Sequence, residues 1–154
     1  MKSRTHQQGL AVVEFAAIIP IMLLLLLSVG EVSRAFYHYT TLHKATQGGA
    51  RYAAEHLLNG LQLPELSDEL AARVKNVVVN GKTTAADNAT PLLPGLTTEN
   101  VSVTTLETGF TEPHVRVSVV WNYQPIAGVI PLLGENSVLH TGFNMQSNIV
   151  MRAL

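Results

Sequence analysis

The chain has 154 residues, and Lys+Arg 10 against Asp+Glu 11 leave a formal net charge of −1. That length suits one modest domain, and the near-neutral balance excludes a strongly basic nucleic-acid binder, so no nucleic acid is expected among its partners. Hydrophobic residues at 47% exclude a disordered acidic tail, and the lack of cysteine excludes a disulfide scaffold, a CxxC redox centre and a cysteine-ligated zinc.

Residues 1–9 carry Lys2 and Arg4 and no acid, and read as a basic leader peptide. Residues 10–29 then run LAVVEFAAIIPIMLLLLLSV with one charge, Glu14. As a helix this stretch spans roughly 30 Å, the thickness of a bilayer core. A core helix would show a polar stripe, and Ile18 to Leu27 has none. The expectation is a single transmembrane helix in contact with the lipid bilayer. Basic residues stay on the cytoplasmic side, so the N-terminus lies inside and the chain beyond residue 30 is exported, which in a Gram-negative cell means an inner-membrane anchor and a periplasmic domain. A cleaved secretory signal is the rival reading. It fits less well, because the apolar run is long, Glu14 interrupts it, and Ser33-Arg34-Ala35 is a poor cleavage site.

An ionised carboxylate in a membrane helix costs about 2.5–3.5 kcal/mol near the centre and less toward an end. Glu14 therefore calls for a cationic neighbour, unless it merely snorkels at the membrane edge. Leu10 lies one helical turn before it and follows Gly9. Cutting between Gly9 and Leu10 would create an α-amino group on the face of Glu14, able to neutralise it within one chain or between packed neighbours. Gly9 offers a peptidase a bare, adaptable backbone. Pro20 removes a backbone hydrogen bond and is expected to kink the helix.

Gly9-Leu10-Ala11-Val12-Val13-Glu14-Phe15 resembles the start of type IV prepilins, which are cut by prepilin peptidase after glycine and carry glutamate at the fifth mature position. The longer stretch Gly9 to Pro20, with the leucine run behind it, is similar to TadE-like minor pilins (pseudopilins) of the tight-adherence, or Tad/Flp, pilus system. An acid-x-x-Arg pattern at Glu31 and Arg34, and a Gly-Ala-Arg-Tyr-Ala segment at Gly49, Ala50, Arg51, Tyr52 and Ala53, extend the resemblance over about the first 55 residues. The resemblance implies cleavage after Gly9 and a role for Glu14, beside Phe15, in processing or subunit register. It also implies other pilin and minor pilin subunits, prepilin peptidase and the Tad inner-membrane assembly platform as partners. The alternative is a single-pass anchored periplasmic binding module that never enters a filament.

Over residues 30–58 apolar and small residues recur every three or four positions, at Val32, Phe36, Tyr39, Leu42, Thr46, Gly49, Ala53 and Leu57. This predicts an amphipathic continuation of the same helix, ended by Asn59-Gly60. Residues 59–154 read as a periplasmic α+β domain. Pro64 to Gly81 predicts a second helix burying Leu66, Leu70, Val74 and Val77, although Val77-Val78-Val79 also suits the start of a strand. Residues 82–98 read as a loop with room for surface function. Alternation then predicts three antiparallel strands, around Val101–Val103, Val115–Tyr123 and Phe143–Met151. Gly109 to Pro113 reads as a turn, and Pro125 to Asn136 as an apolar loop that either caps the sheet or serves as a partner surface. The fold class is therefore α+β and pilin-like, a long N-terminal helix packed on a second helix and a small antiparallel sheet.

Catalysis finds little support. The chain has no GxSxG, HExxH or phosphate-binding glycine loop. His38 and His43 lie about 140° apart around a helix, unsuited to a metal pair, and His56, His114 and His140 are scattered. No enzyme activity, metal or cofactor is expected.

Overall fold

The computed structural model describes residues 5–57, 66–84, 89–106, 113–126 and 142–153. The elements run α1 (Thr5–Leu57), α2 (Asp68–Asn80), a 3-10 turn (Thr98–Asn100), β1 (Val101–Leu106), β2 (His114–Tyr123) and β3 (Phe143–Arg152). This is the expected α+β class. The chain divides into two compact units, one formed by residues 1–36 and 124–143, the other by 37–123 and 144–154.

In the first unit α1 is apolar and uncovered. Phe15 is 63% exposed and Leu26 also 63%, and every other large hydrophobic residue from Val12 to Leu27 in this stretch is exposed as well. A core helix is enclosed by its own chain, and this one is not. It is the one helix among the described residues long and apolar enough to cross a membrane, so the chain has a segment compatible with a single-pass anchor. Pro20 lies inside α1, with helix on both sides of it.

The second unit holds the core. Leu42, Ala45, Thr46, Ala50, Ala53, Ala54 and Leu57 form the buried stripe of α1. The expected stripe began earlier, and here it is corrected: Val32, Phe36 and Tyr39 are exposed. The buried Thr46 hydroxyl is satisfied by donating to the Leu42 carbonyl at 2.8 Å.

Helix α2 starts at the Ser67 cap, whose Oγ accepts from the Leu70 amide. Asp68 and Glu69 in its first turn complement the helix dipole. The predicted opening at Pro64 falls outside the described residues. At the other end Gly81 takes the left-handed conformation (φ 70°), and its amide donates to the Val77 carbonyl. The buried positions are Val74, Val78 and Val79, while Leu66, Leu70 and Val77 are only half-buried. The stripe is thus turned one residue from the expected one, and the valine run is helix rather than strand.

The three strands lie in the order β1-β2-β3. β1 and β2 are antiparallel, with Val101 opposite Val119 and Val103 opposite Val117. The Asn122 amide donates to the Asn144 side chain at 3.0 Å, and the Ala153 amide donates to the Pro113 carbonyl at 3.0 Å, so β3 runs antiparallel to β2. Central β2 buries Val115, Val117, Val119, Trp121 and Tyr123 on one face. Period-two alternation is what a sheet covered on one side requires.

The described part of the segment between α2 and β1 is not a free surface loop. Leu93 and Leu96 are fully or almost fully buried. The Leu92 amide donates to the Val79 carbonyl at 2.8 Å, and the Trp121 indole donates to the Pro94 carbonyl at 3.0 Å. Leu92, Leu93 and Leu96 stand among Pro, Gly and Thr with no sustained period, so nothing local marks them as core. Residues 109–112 of the predicted turn and 127–136 of the apolar loop lie outside the described residues; Ile126 within that loop is 75% exposed.

Gly48 and Gly49 are adjacent in α1 but do different things. A Cβ on Gly49 would stand 2.3 Å from Val78 Cγ2, whereas one on Gly48 would meet nothing within 4 Å. Gly49→Ala is therefore expected to destabilise the protein by about 1–3 kcal/mol through overpacking. Gly48→Ala should stabilise it by up to about 1 kcal/mol through helix propensity. Thermal unfolding of the two full-length variants in detergent checks the opposite signs.

Candidate assembly and processing site

The residues singled out from the sequence fall into three groups along α1. Gly9 is exposed and sits within the helix. Glycine is about 1 kcal/mol poorer than alanine in a helix, so this turn is easily unwound. Leu10 lies one turn before Glu14 on the same helix face. Glu14 is exposed, as is Phe15.

The second group is the acid-x-x-Arg pair. Glu31 is 8% exposed, a charged residue buried in the first unit. Its Oε1 accepts from the Ile126 backbone amide at 3.2 Å and lies 3.7 Å from Arg34 Nη1. A buried carboxylate is tolerated when it is paired and hydrogen-bonded, and Glu31 has both kinds of partner. The i, i+3 spacing to Arg34 is legible in the sequence. The partner at Ile126, 95 positions away, is not.

The third group, Gly49 to Tyr52, belongs to the second unit. Gly49 and Ala50 are buried, Gly49 against α2. Arg51 points to solvent, 79% exposed, with a loose 3.8 Å pairing to Glu55. Tyr52 is half-buried and bonded to the Arg73 side chain of α2. That bond, together with Glu69, holds the Arg73 guanidinium above its ordinary pKa. The structure thus brings Gly49 and Tyr52 to α2, buries Ala50, and leaves Arg51 in solvent.

Among the described residues no group of His, Asp and Glu is arranged to hold a metal ion. His38 is buried beside the Trp121 and Tyr123 rings, at 5.5 and 5.8 Å between centroids. His43 bonds Ser147 at 3.3 Å and Gln47 at 3.4 Å. The Ser147, Trp121 and Tyr123 contacts tie α1 to the sheet, and sequence reasoning missed them because these partners lie far along the chain.

Replacing Glu31 with alanine removes the acceptor of the Ile126 amide, a charge-assisted bond of about 1.5–3 kcal/mol. Hydrogen exchange at Ile126 should quicken roughly tenfold or more in Glu31→Ala and change less in Glu31→Gln, which keeps an acceptor.

No curated protein and no solved structure matches the chain. Residues 9–51, which hold all three groups up to Arg51, match the family model described as TadE-like protein, so over this segment the chain is similar to that family.

Proposed function

We propose that the protein is a minor pilin or pseudopilin that takes part in assembling a Tad/Flp type IV pilus for surface attachment. One observation carries this reading: the TadE-like match begins at Gly9, at the head of a long apolar helix that its own chain leaves uncovered. A helix of that kind requires lipid before assembly and other helices after it. In this reading the helix sits in the bacterial inner membrane with its N-terminus cytoplasmic and its sheet periplasmic. Prepilin peptidase cuts after Gly9, the freed amine and Glu14 compensate each other within or between subunits, and the assembly platform lifts the subunit toward the pilus. The work is physical, with helices exchanging lipid contacts for helix contacts, and none of the site residues is asked to do catalysis.

Intact mass and N-terminal sequencing of protein isolated from its own cells should find a chain beginning at Leu10. A chain beginning at Met1 would favour the anchored binding module, and one beginning near Ala35 would favour a secretory signal. Gly9→Leu should block processing. Glu14→Ala should give a stable subunit but few or no pili by electron microscopy, and normal piliation in that variant would remove the role assigned to Glu14.

A further inference from the structure

The face of α1 that turns away from the core has its own geometry. Lys44, Gln47, Gly48 and Arg51 follow i, i+3, i+4 and i+7 spacing, so they share one side of the helix. Together with Ala54 and with Met151 and Arg152 at the end of β3 they line a groove of about 550 Å³. That volume falls in the range of roughly 300–1,000 Å³ typical of ligand sites. The lining holds three cations, one amide and an apolar floor.

Two of these residues are not explained by the fold. Gly48 is exposed, costs helix stability, and has nothing within 4 Å of where its Cβ would stand. Arg51 is 79% exposed, and its 3.8 Å pairing with exposed Glu55 adds little. A bare helix backbone flanked by cations suits the close approach of another main chain that carries negative charge. The sheet supplies a second reason for a main chain to lie there. β3 is an edge strand, and among the described residues no strand pairs with its outer side. His43 on α1 bonds Ser147 on β3, so this helix runs beside that strand.

We propose that β3 and the groove beside it bind an extended, acidic segment of a partner protein as a fourth strand. Its backbone would continue the β3 ladder and pass over Gly48, while its carboxylates meet Lys44, Arg51 and Arg152. Strand addition takes affinity from main-chain hydrogen bonds and specificity from alternate side chains. The surface is distinct from the Gly9–Glu14 segment and does not depend on processing.

The test uses the full chain in detergent and, as probe, a capped peptide alternating Glu and Val, followed by calorimetry. Binding should weaken roughly tenfold in the double variant Lys44→Glu, Arg51→Glu. It should vanish in Gly48→Leu, whose unfolding temperature should not fall because the position opens to solvent. A peptide N-methylated at alternate residues, unable to donate to a ladder, should not bind. Equal binding of the N-methylated peptide, or full displacement by inorganic phosphate, would reduce the groove to a simple anion site and overturn strand addition. Absence of binding, or binding indifferent to Gly48→Leu, would overturn the proposal outright. A concentration-dependent dimer lost in the same variants would put a second copy of this chain in the groove and overturn the assignment of a partner protein.

Discussion

Val78 of α2 occupies the space that a side chain on Gly49 would fill, and the packing of the second unit follows from that close approach. Two helices come this near only where one presents almost no side chain. Ala45 and Ala53, four residues to either side of Gly49, keep the same face of α1 small and buried. Small residues make many short dispersion contacts when backbones are close and few when they are not. The buried valines of α2 therefore need this face to be small, and one added methyl group is felt throughout the contact.

The first unit obeys the opposite demand. Its stretch of α1 is apolar all round and finds no cover in its own chain, so its energetics are set by what surrounds it. Only the polar groups near its end are internally satisfied. Ser28 donates to the Leu24 carbonyl at 2.8 Å, and Glu31 holds the Ile126 amide beside Arg34. Such internal closure keeps these polar groups from being left without a hydrogen-bond partner. α1 thus carries two kinds of surface along its length, one made for lipid or other helices and one made for a folded domain.

Much of this was legible in the residues. A twenty-residue stretch broken only by Glu14 and Ser28 announces a membrane-length helix, because a chain this short has little core to enclose a helix without a polar side. Strict alternation in Val115, Val117, Val119, Trp121 and Tyr123 announces a strand buried on one face, and the structure buries all five. The buried stripe of α1 was read too early, at Val32, Phe36 and Tyr39. Periodicity reports which side of a helix is apolar but not where along it the covering domain begins. The α2 stripe was misjudged by one residue for a related reason: with three consecutive valines, hydrophobicity cannot say which of them faces inward.

What the sequence determined by itself was local or periodic: the apolar helix, the capped end of α2 at Gly81, the alternating strands, and the Gly9–Glu14 spacing that resembles a prepilin start. These depend on neighbours within a few residues, where backbone geometry alone sets the relation. Only the tertiary structure decided that Gly49 is a contact and Gly48 is not, that Leu93 and Leu96 are core, and that Glu31 binds the Ile126 amide. It likewise decided that His43 meets Ser147, and that Lys44 and Arg51 share a groove with Arg152. Each of these joins residues far apart in the chain, and which distant groups meet is settled by how whole elements pack.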